Sequence, residues 1–323
     1  GLSSPHAQTI FASLARPLRV PPLRRERWEL PDGDFLDVDV LDPPPGASTE
    51  VPWLLVLHGL EGSSQAGYVA SILRGAHERG WGALALNFRS CGGEPNRLPR
   101  FYHSGETGDV KEAIARLRER TGGPILGVGF SLGGNVLLRL LEEEGGGAPL
   151  HAAAAVSVPF DLALCARTLD GGGGLVSIYR AVFLRSLRRK ALEKARCHPG
   201  SLDPEAVRRA KGIVDFDDAV TAPLHGYASA GAYYEACSSG PALGAIRRPT
   251  LCLSAADDPL VPASCLPRPR PGPVTVEVTP SGGHVGFVAG SIARPTFWAE
   301  ERVLRFLEAA AASAAPPRVA PEG

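Results

Sequence analysis

The chain has 323 residues, enough for one large domain or two ordinary ones with a sizeable buried core, so a peptide hormone or a disordered tail is excluded. Its 34 Lys and Arg balance 34 Asp and Glu, which leaves no basic footprint for nucleic acid and no acidic one for a polybasic partner. Hydrophobic residues make up 44% and charged ones 21%, and no run approaches the roughly 18 apolar residues of a membrane span, so the composition reads as a soluble globular chain. The sequence starts at Gly1 and contains no Met, so an initiator and anything before it have been removed or lie outside this sequence.

Cys91, Cys165, Cys197, Cys237, Cys252 and Cys265 show no C-x-x-C pair and no disulfide-like spacing, which argues against a zinc ribbon or a disulfide scaffold. They read as reduced, mostly buried thiols, and the expected location is cytoplasmic.

Two short extended runs, Arg27 to Leu30 and Phe35 to Leu41, flank the turn cluster Pro31-Asp32-Gly33-Asp34 and predict a hairpin. Strand and helix then alternate. Trp53 to Leu57 is a continuous apolar run, as in a strand covered on both faces, and Ser63 to Arg79 is helical up to Gly80. Trp81 to Phe88 repeats the strand signal, and Val110, Ile114 and Leu117 mark one face of the next helix. Ile125 to Val128 is followed by a helix with Val136, Leu137, Leu140 and Leu141 inward. Ala152 to Val158, Thr250 to Ser254 and Val274 to Val278 complete the strands, and Trp298 to Ala310 is a closing amphipathic helix. The expected class is α/β: a mostly parallel central sheet with helices on both faces.

From Asp161 to Ser239 the alternation breaks into a helical, glycine-interrupted and basic stretch. It predicts a helical cap (161–239) inserted between two parts of one core (1–160 and 240–311), with a structureless tail over 312–323. Arg185, Arg188, Arg189, Lys190 and Lys194 gather on one helix-forming segment, read as a solvated cap face in preference to a lipid-binding surface.

The most specific local signal is Gly129-Phe130-Ser131-Leu132-Gly133, which follows an apolar strand and opens a helix. A serine on such a sharp turn projects its hydroxyl above the sheet edge, and glycines two residues either side let the backbone fold that tightly. Ser131 is therefore the candidate nucleophile. A dinucleotide fingerprint fails, because Gly127-Val128-Gly129 lacks a glycine three residues on.

A serine hydroxyl needs a base, and the base needs a carboxylate to orient it. Asp257-Asp258 follows a β run, where open α/β sheets collect their sites, and Asp258 is the choice with Asp257 its rival. His284, in Gly282-Gly283-His284-Val285-Gly286, is the candidate base and completes the order serine, acid, histidine. Backbone amides of Leu132, just after the nucleophile, and Leu60, in His58-Gly59-Leu60-Glu61-Gly62, are the candidate oxyanion donors, with His58 as support. His103 and His225 sit in no metal-ligand spacing and read as packing residues; no metal and no cofactor is expected.

The chain resembles the α/β-hydrolases of the YheT-like branch, the AB hydrolase 4 family, which also includes eukaryotic lipid esterases. The resemblance runs through Pro5-His6-Ala7-Gln8-Thr9, Asn87 to Cys91, Tyr102 to Thr107, Gly129 to Gly134, Phe216-Asp217-Asp218, Thr221 to Tyr227 and Tyr233-Tyr234. It implies carboxylic ester hydrolysis by a serine, aspartate and histidine triad that maps onto Ser131, Asp258 and His284. The expected partner is a small-molecule ester, short to medium in chain length or lipid-like. A thioesterase or phospholipase on the same residues is the nearest alternative, and a non-catalytic binding protein on the same fold the more distant one.

Overall fold

The computed structural model describes residues 2, 4–17 and 20–314. Its first element is a helix that the sequence pattern did not reveal, α1 (Pro5–Ala15). Ser4 caps it by accepting the Ala7 N–H, and Pro5 opens it where a missing N–H costs nothing. The positions that α1 turns inward are Gln8, Ala12 and, just beyond its end, Arg16. A buried stripe so polar carries no hydrophobic period.

The expected hairpin follows as β1 (Arg24–Glu29) and β2 (Phe35–Leu41), antiparallel, with Glu29 opposite Phe35. Next come β3 (Trp53–Leu57), α2 (Gly67–Glu78), β4 (Gly82–Asn87), α3 (Gly108–Arg118), β5 (Ile125–Phe130), α4 (Leu132–Glu144) and β6 (Ala152–Val156). Helix α2 begins four residues later than Ser63, because residues 59–66 are used as turns, with Gly62 N–H on the Gly59 carbonyl and Ala66 N–H on that of Ser63.

After β6 the chain leaves the sheet for α5 (Leu162–Gly171), α6 (Leu175–Cys197), α7 (Pro204–Arg209), α8 (Ile213–Phe216), a π-helical turn at Asp217–Thr221, α9 (Ala222–Leu224) and α10 (Ala230–Cys237). It returns as β7 (Thr250–Ala255) and β8 (Val274–Thr279), adds a two-stranded ribbon β9 (Val288–Ser291) and β10 (Arg294–Phe297), and closes with α11 (Trp298–Ala314). The tail expected over 312–323 is corrected at its first three residues, which are helical. Residues up to Ala314 continue α11, as alanine's helix propensity favours, and 315–323 lie outside the described residues.

The eight-stranded sheet has the order β1-β2-β4-β3-β5-β6-β7-β8 and is parallel from β4 through β8, with β1 and β2 antiparallel at one edge. Side chains alternate across it. Leu55, Leu57, Leu84 and Leu86 face α3 and α4, whereas Leu54, Val56, Ala83 and Ala85 face α2 and α11. Both faces are covered, which is why the central strands read as unbroken apolar runs. The helices after β6 form a third cluster of their own around Leu184, Val207, Phe216 and Tyr233, and it meets the sheet's carboxyl edge at Leu260.

Candidate active site

Ser131 ends β5 and opens α4 at φ 51°, ψ −118°, a conformation that L residues avoid. The flanking glycines make it possible. A Cβ on Gly129 would run into the Gly133 carbonyl, and one on Gly133 into the main-chain oxygens of Leu57 and His58. The turn packs backbone on backbone, and the serine hydroxyl is what remains above it. Of the six non-glycine residues with positive φ among those described, Glu61, Ser131, Val285 and Phe287 lie in the loops that carry the predicted site residues.

The structure brings Ser131, His284 and Asp258 into one line. Ser131 Oγ lies 3.0 Å from His284 Nε2, and His284 Nδ1 lies 2.8 Å from Asp258 Oδ2. The Asp258 side chain is almost fully buried, and its other oxygen accepts the N–H groups of Leu260 (2.8 Å) and Val261 (3.0 Å). A carboxylate so held can only accept from the imidazole, so Nδ1 carries the proton and Nε2 faces the serine with a lone pair.

Asp257, the rival acid, does not reach the imidazole. Its Oδ1 accepts the N–H groups of Gly282 and Gly283, both at 2.9 Å, and fixes the start of the histidine loop. The other side of that loop is held by α1. Thr9 Oγ1 accepts the His284 N–H at 2.9 Å and donates to the Pro5 carbonyl at 2.8 Å, Gln8 Oε1 accepts the Val288 N–H at 3.0 Å, and the Arg16 guanidinium donates to the Val285 and Gly286 carbonyls. Gly283 (φ +60°) and Gly286 leave room for this contact, since a Cβ on either would strike the α1 backbone. In the sequence residues 5–9 carry only the family likeness; without a hydrophobic stripe, nothing in them announces this clamp.

The loop after β3 is equally specified. Burial drives the His58 pKa down to about 4, so the ring is neutral. Its Nε2 accepts the Phe88 N–H at 3.1 Å, which leaves the proton on Nδ1, 2.7 Å from the Gly59 carbonyl. That carbonyl also accepts the Gly62 N–H. The Gly59 oxygen and the Leu60 N–H belong to one trans peptide and point opposite ways, so fixing the first aims the second. The amides on either side are taken by hydroxyls, Gly59 by Tyr68 and Glu61 by Tyr102, whereas the Leu60 amide has no acceptor among the described residues. Leu132, at the first position of α4, lines the same cavity as Leu60.

Glu61 ties this loop to the helices above it. Its carboxylate accepts from Tyr102, Ser186 and Lys190, the last at 2.9 Å. Ser131 and His284 open onto a cavity of about 550 Å³ whose walls include Leu162, Leu169, Phe183, Leu187 and Phe216 from the helices and Leu260 from the acid loop. Besides Glu61, one carboxyl interrupts this apolar lining. Asp217, in the π-helical turn, accepts from Thr221 (2.5 Å) and Tyr234 (2.6 Å), and desolvation pushes its pKa up to about 6.

Among the described residues His103, Glu106 and His225 are the one group placed to hold a metal ion, their ligand atoms lying within 4.8 Å of one another. His103 Nδ1 is already taken by the Gly105 N–H, and Glu106 by the Arg100 guanidinium. The two imidazoles, held neutral by burial at about 3 and about 4, join the loop after β4 to the one after α9.

A parallel-centred sheet with a serine turned over its edge, an acid after β7 and a histidine after β8 defines a class of protein. The chain belongs to the alpha/beta hydrolase fold family, which residues 52–291 match. Within it the chain falls in the YheT-like branch: it is 40% identical over 309 residues, covering 94% of this chain and 90% of the other, to the Escherichia coli (strain K12) protein named “Putative esterase YheT”. It is 30% identical over 297 residues to the Homo sapiens protein named “Phospholipase ABHD3”, covering 88% of this chain and 72% of that one. The Pyrococcus furiosus esterase Pf2001 shares the fold at TM-score 0.57 and 15% identity, over 96% of each chain. Among the described residues no helix is long and apolar enough to cross a membrane.

Proposed function

We propose that the chain is a serine hydrolase of carboxylic esters working through an acyl-enzyme. The observation that carries this reading is the unbroken contact line from Ser131 Oγ through His284 to Asp258, at 3.0 and 2.8 Å. Ser131 attacks the ester carbonyl while His284 Nε2 takes its proton, and the imidazolium so formed is held by Asp258. The Leu60 and Leu132 amides receive the charge that grows on the carbonyl oxygen, a donor of this kind contributing about 3 kcal/mol. His284 then passes its proton to the leaving alcohol, and water, deprotonated by the same ring, releases the acid.

The apolar cavity favours an acyl chain or lipid-like ester, in keeping with relatives named as an esterase and a phospholipase. Thioesters are the nearest other substrates for the same residues. We assign residues 161–239 the role of a cap that walls this cavity. The proposed setting is a reducing compartment, on the strength of the cysteine usage read from the sequence.

The test is hydrolysis of p-nitrophenyl esters of increasing chain length by the chain and by Ser131→Ala, with fluorophosphonate labelling of Ser131 alongside. Activity lost and labelling abolished in the variant support the reading. A folded chain that neither turns over any ester nor labels would replace it with a binding protein on a hydrolase fold.

A further inference from the structure

We propose that the rim of the cavity is a docking face for an anionic lipid surface, formed by the outward sides of α1 and of the first half of α6. Nine large hydrophobic side chains are exposed among the described residues, and five of them lie on these two helices: Ile10 (37%), Leu14 (80%), Leu175 (40%), Ile178 (54%) and Val182 (62%). Singly such residues need no explanation, but gathered around an opening they do. The two helices meet there, His6 Nδ1 lying 3.2 Å from the Tyr179 hydroxyl. Ile10 and Val182 each line the cavity while remaining exposed, which places them at its mouth.

Along α6 the exposed residues Leu175, Ile178, Val182, Arg185 and Arg189 advance in steps of three and four, with exposed Ala181 beside them, and form one stripe that changes from apolar to basic along the helix. Neither Arg185 nor Arg189 has a carboxylate partner among the described residues, in contrast to Lys190, which turns inward to Glu61. There is no Asp or Glu in α1, and none in α6 before Glu193. A face that is apolar around a cavity mouth and carries only positive charge beside it matches acyl chains flanked by anionic headgroups. A second copy of the chain fits it poorly, because a two-fold contact would set this one-signed patch against itself.

Flotation on vesicles of phosphatidylcholine mixed with phosphatidylglycerol, against phosphatidylcholine alone, tests this on Ser131→Ala protein, so the result is independent of whether the chain hydrolyses esters. The protein is expected to float with the anionic vesicles, Arg185→Gln/Arg189→Gln to reduce that partition by roughly 30-fold, and Leu14→Asp/Ile178→Asp to abolish it. In the active background Leu14→Asp/Ile178→Asp keeps wild-type melting and wild-type turnover of a water-soluble ester. Protein that stays off both vesicle types, a Leu14→Asp/Ile178→Asp variant that floats as well as its parent, or binding indifferent to the two arginines would overturn the proposal. So would a dimer in sedimentation that Leu14→Asp/Ile178→Asp dissociates, in the absence of any vesicle binding.

Discussion

The side-chain oxygen of Thr9 accepts the backbone N–H of His284 at 2.9 Å, so a helix at the start of the chain sets the position of a ring 275 residues further on. Because Thr9 also donates to the Pro5 carbonyl, its hydroxyl is fixed by its own helix before it meets the histidine loop. Thr9→Val keeps the shape and removes the acceptor. The expected result is a fall in kcat of about tenfold with KM little changed, since a reacting group displaced by a fraction of an ångström loses rate rather than affinity. Thr9→Ser restores the rate; steady-state kinetics on a soluble ester distinguishes positioning from simple loss of stability.

The two neighbouring acids are expected to separate cleanly. Asp258→Asn removes the acceptor that selects the imidazole tautomer, and kcat falls by roughly 10⁴-fold at nearly unchanged stability. Asp257→Ala frees two loop amides instead and costs about 1–3 kcal/mol of stability, with a loss of rate nearer tenfold. Urea unfolding and kinetics on both variants give the comparison.

Lys190 and Glu61 form an ion pair with side chains only 16% and 8% exposed, next to the Leu60 amide. Lys190→Met strands a buried carboxylate and is expected to cost about 3 kcal/mol and to loosen the loop that carries Leu60. Glu61→Gln in the same chain removes the stranded charge and returns most of the stability. A double-mutant cycle read by urea unfolding checks this, and additive losses would contradict the coupling.

Acid should destabilise the fold well before its exposed carboxylates are all protonated. His58, His103 and His225 have pKa values lowered by burial to about 4, about 3 and about 4, against an ordinary 6.5. Between pH 6.5 and 4 the unfolded chain therefore takes up protons that the native one refuses. Stability falls as pH drops through that window, by about 1.4 kcal/mol per pH unit for each proton. Asp217 at about 6, with Glu106 and Glu300, all raised by burial, act in the opposite sense. His225 Nε2 is buried with no hydrogen-bond partner among the described residues, so His225→Asn is the least disruptive probe. Its urea midpoint should depend less steeply on pH between 6.5 and 4 than that of the parent.

The sequence by itself determined the sheet, the sharp turn at Ser131 and the class. Strands buried on both faces must be continuous in apolar residues, as Trp53–Leu57 and Ile125–Phe130 are, and a serine between glycines at a strand-to-helix junction has few other geometries open to it. These are local constraints, written in adjacent residues. Tertiary structure alone decided which acid faces the histidine, because Asp257 and Asp258 are chemically identical and only the direction of the chain after β7 tells them apart. It also decided what supports the site. Helix α1 buries Gln8 and Ala12, and Arg16 just beyond its end is buried too; a polar side chain becomes a structural contact only once its partner, distant in the chain, has been folded against it.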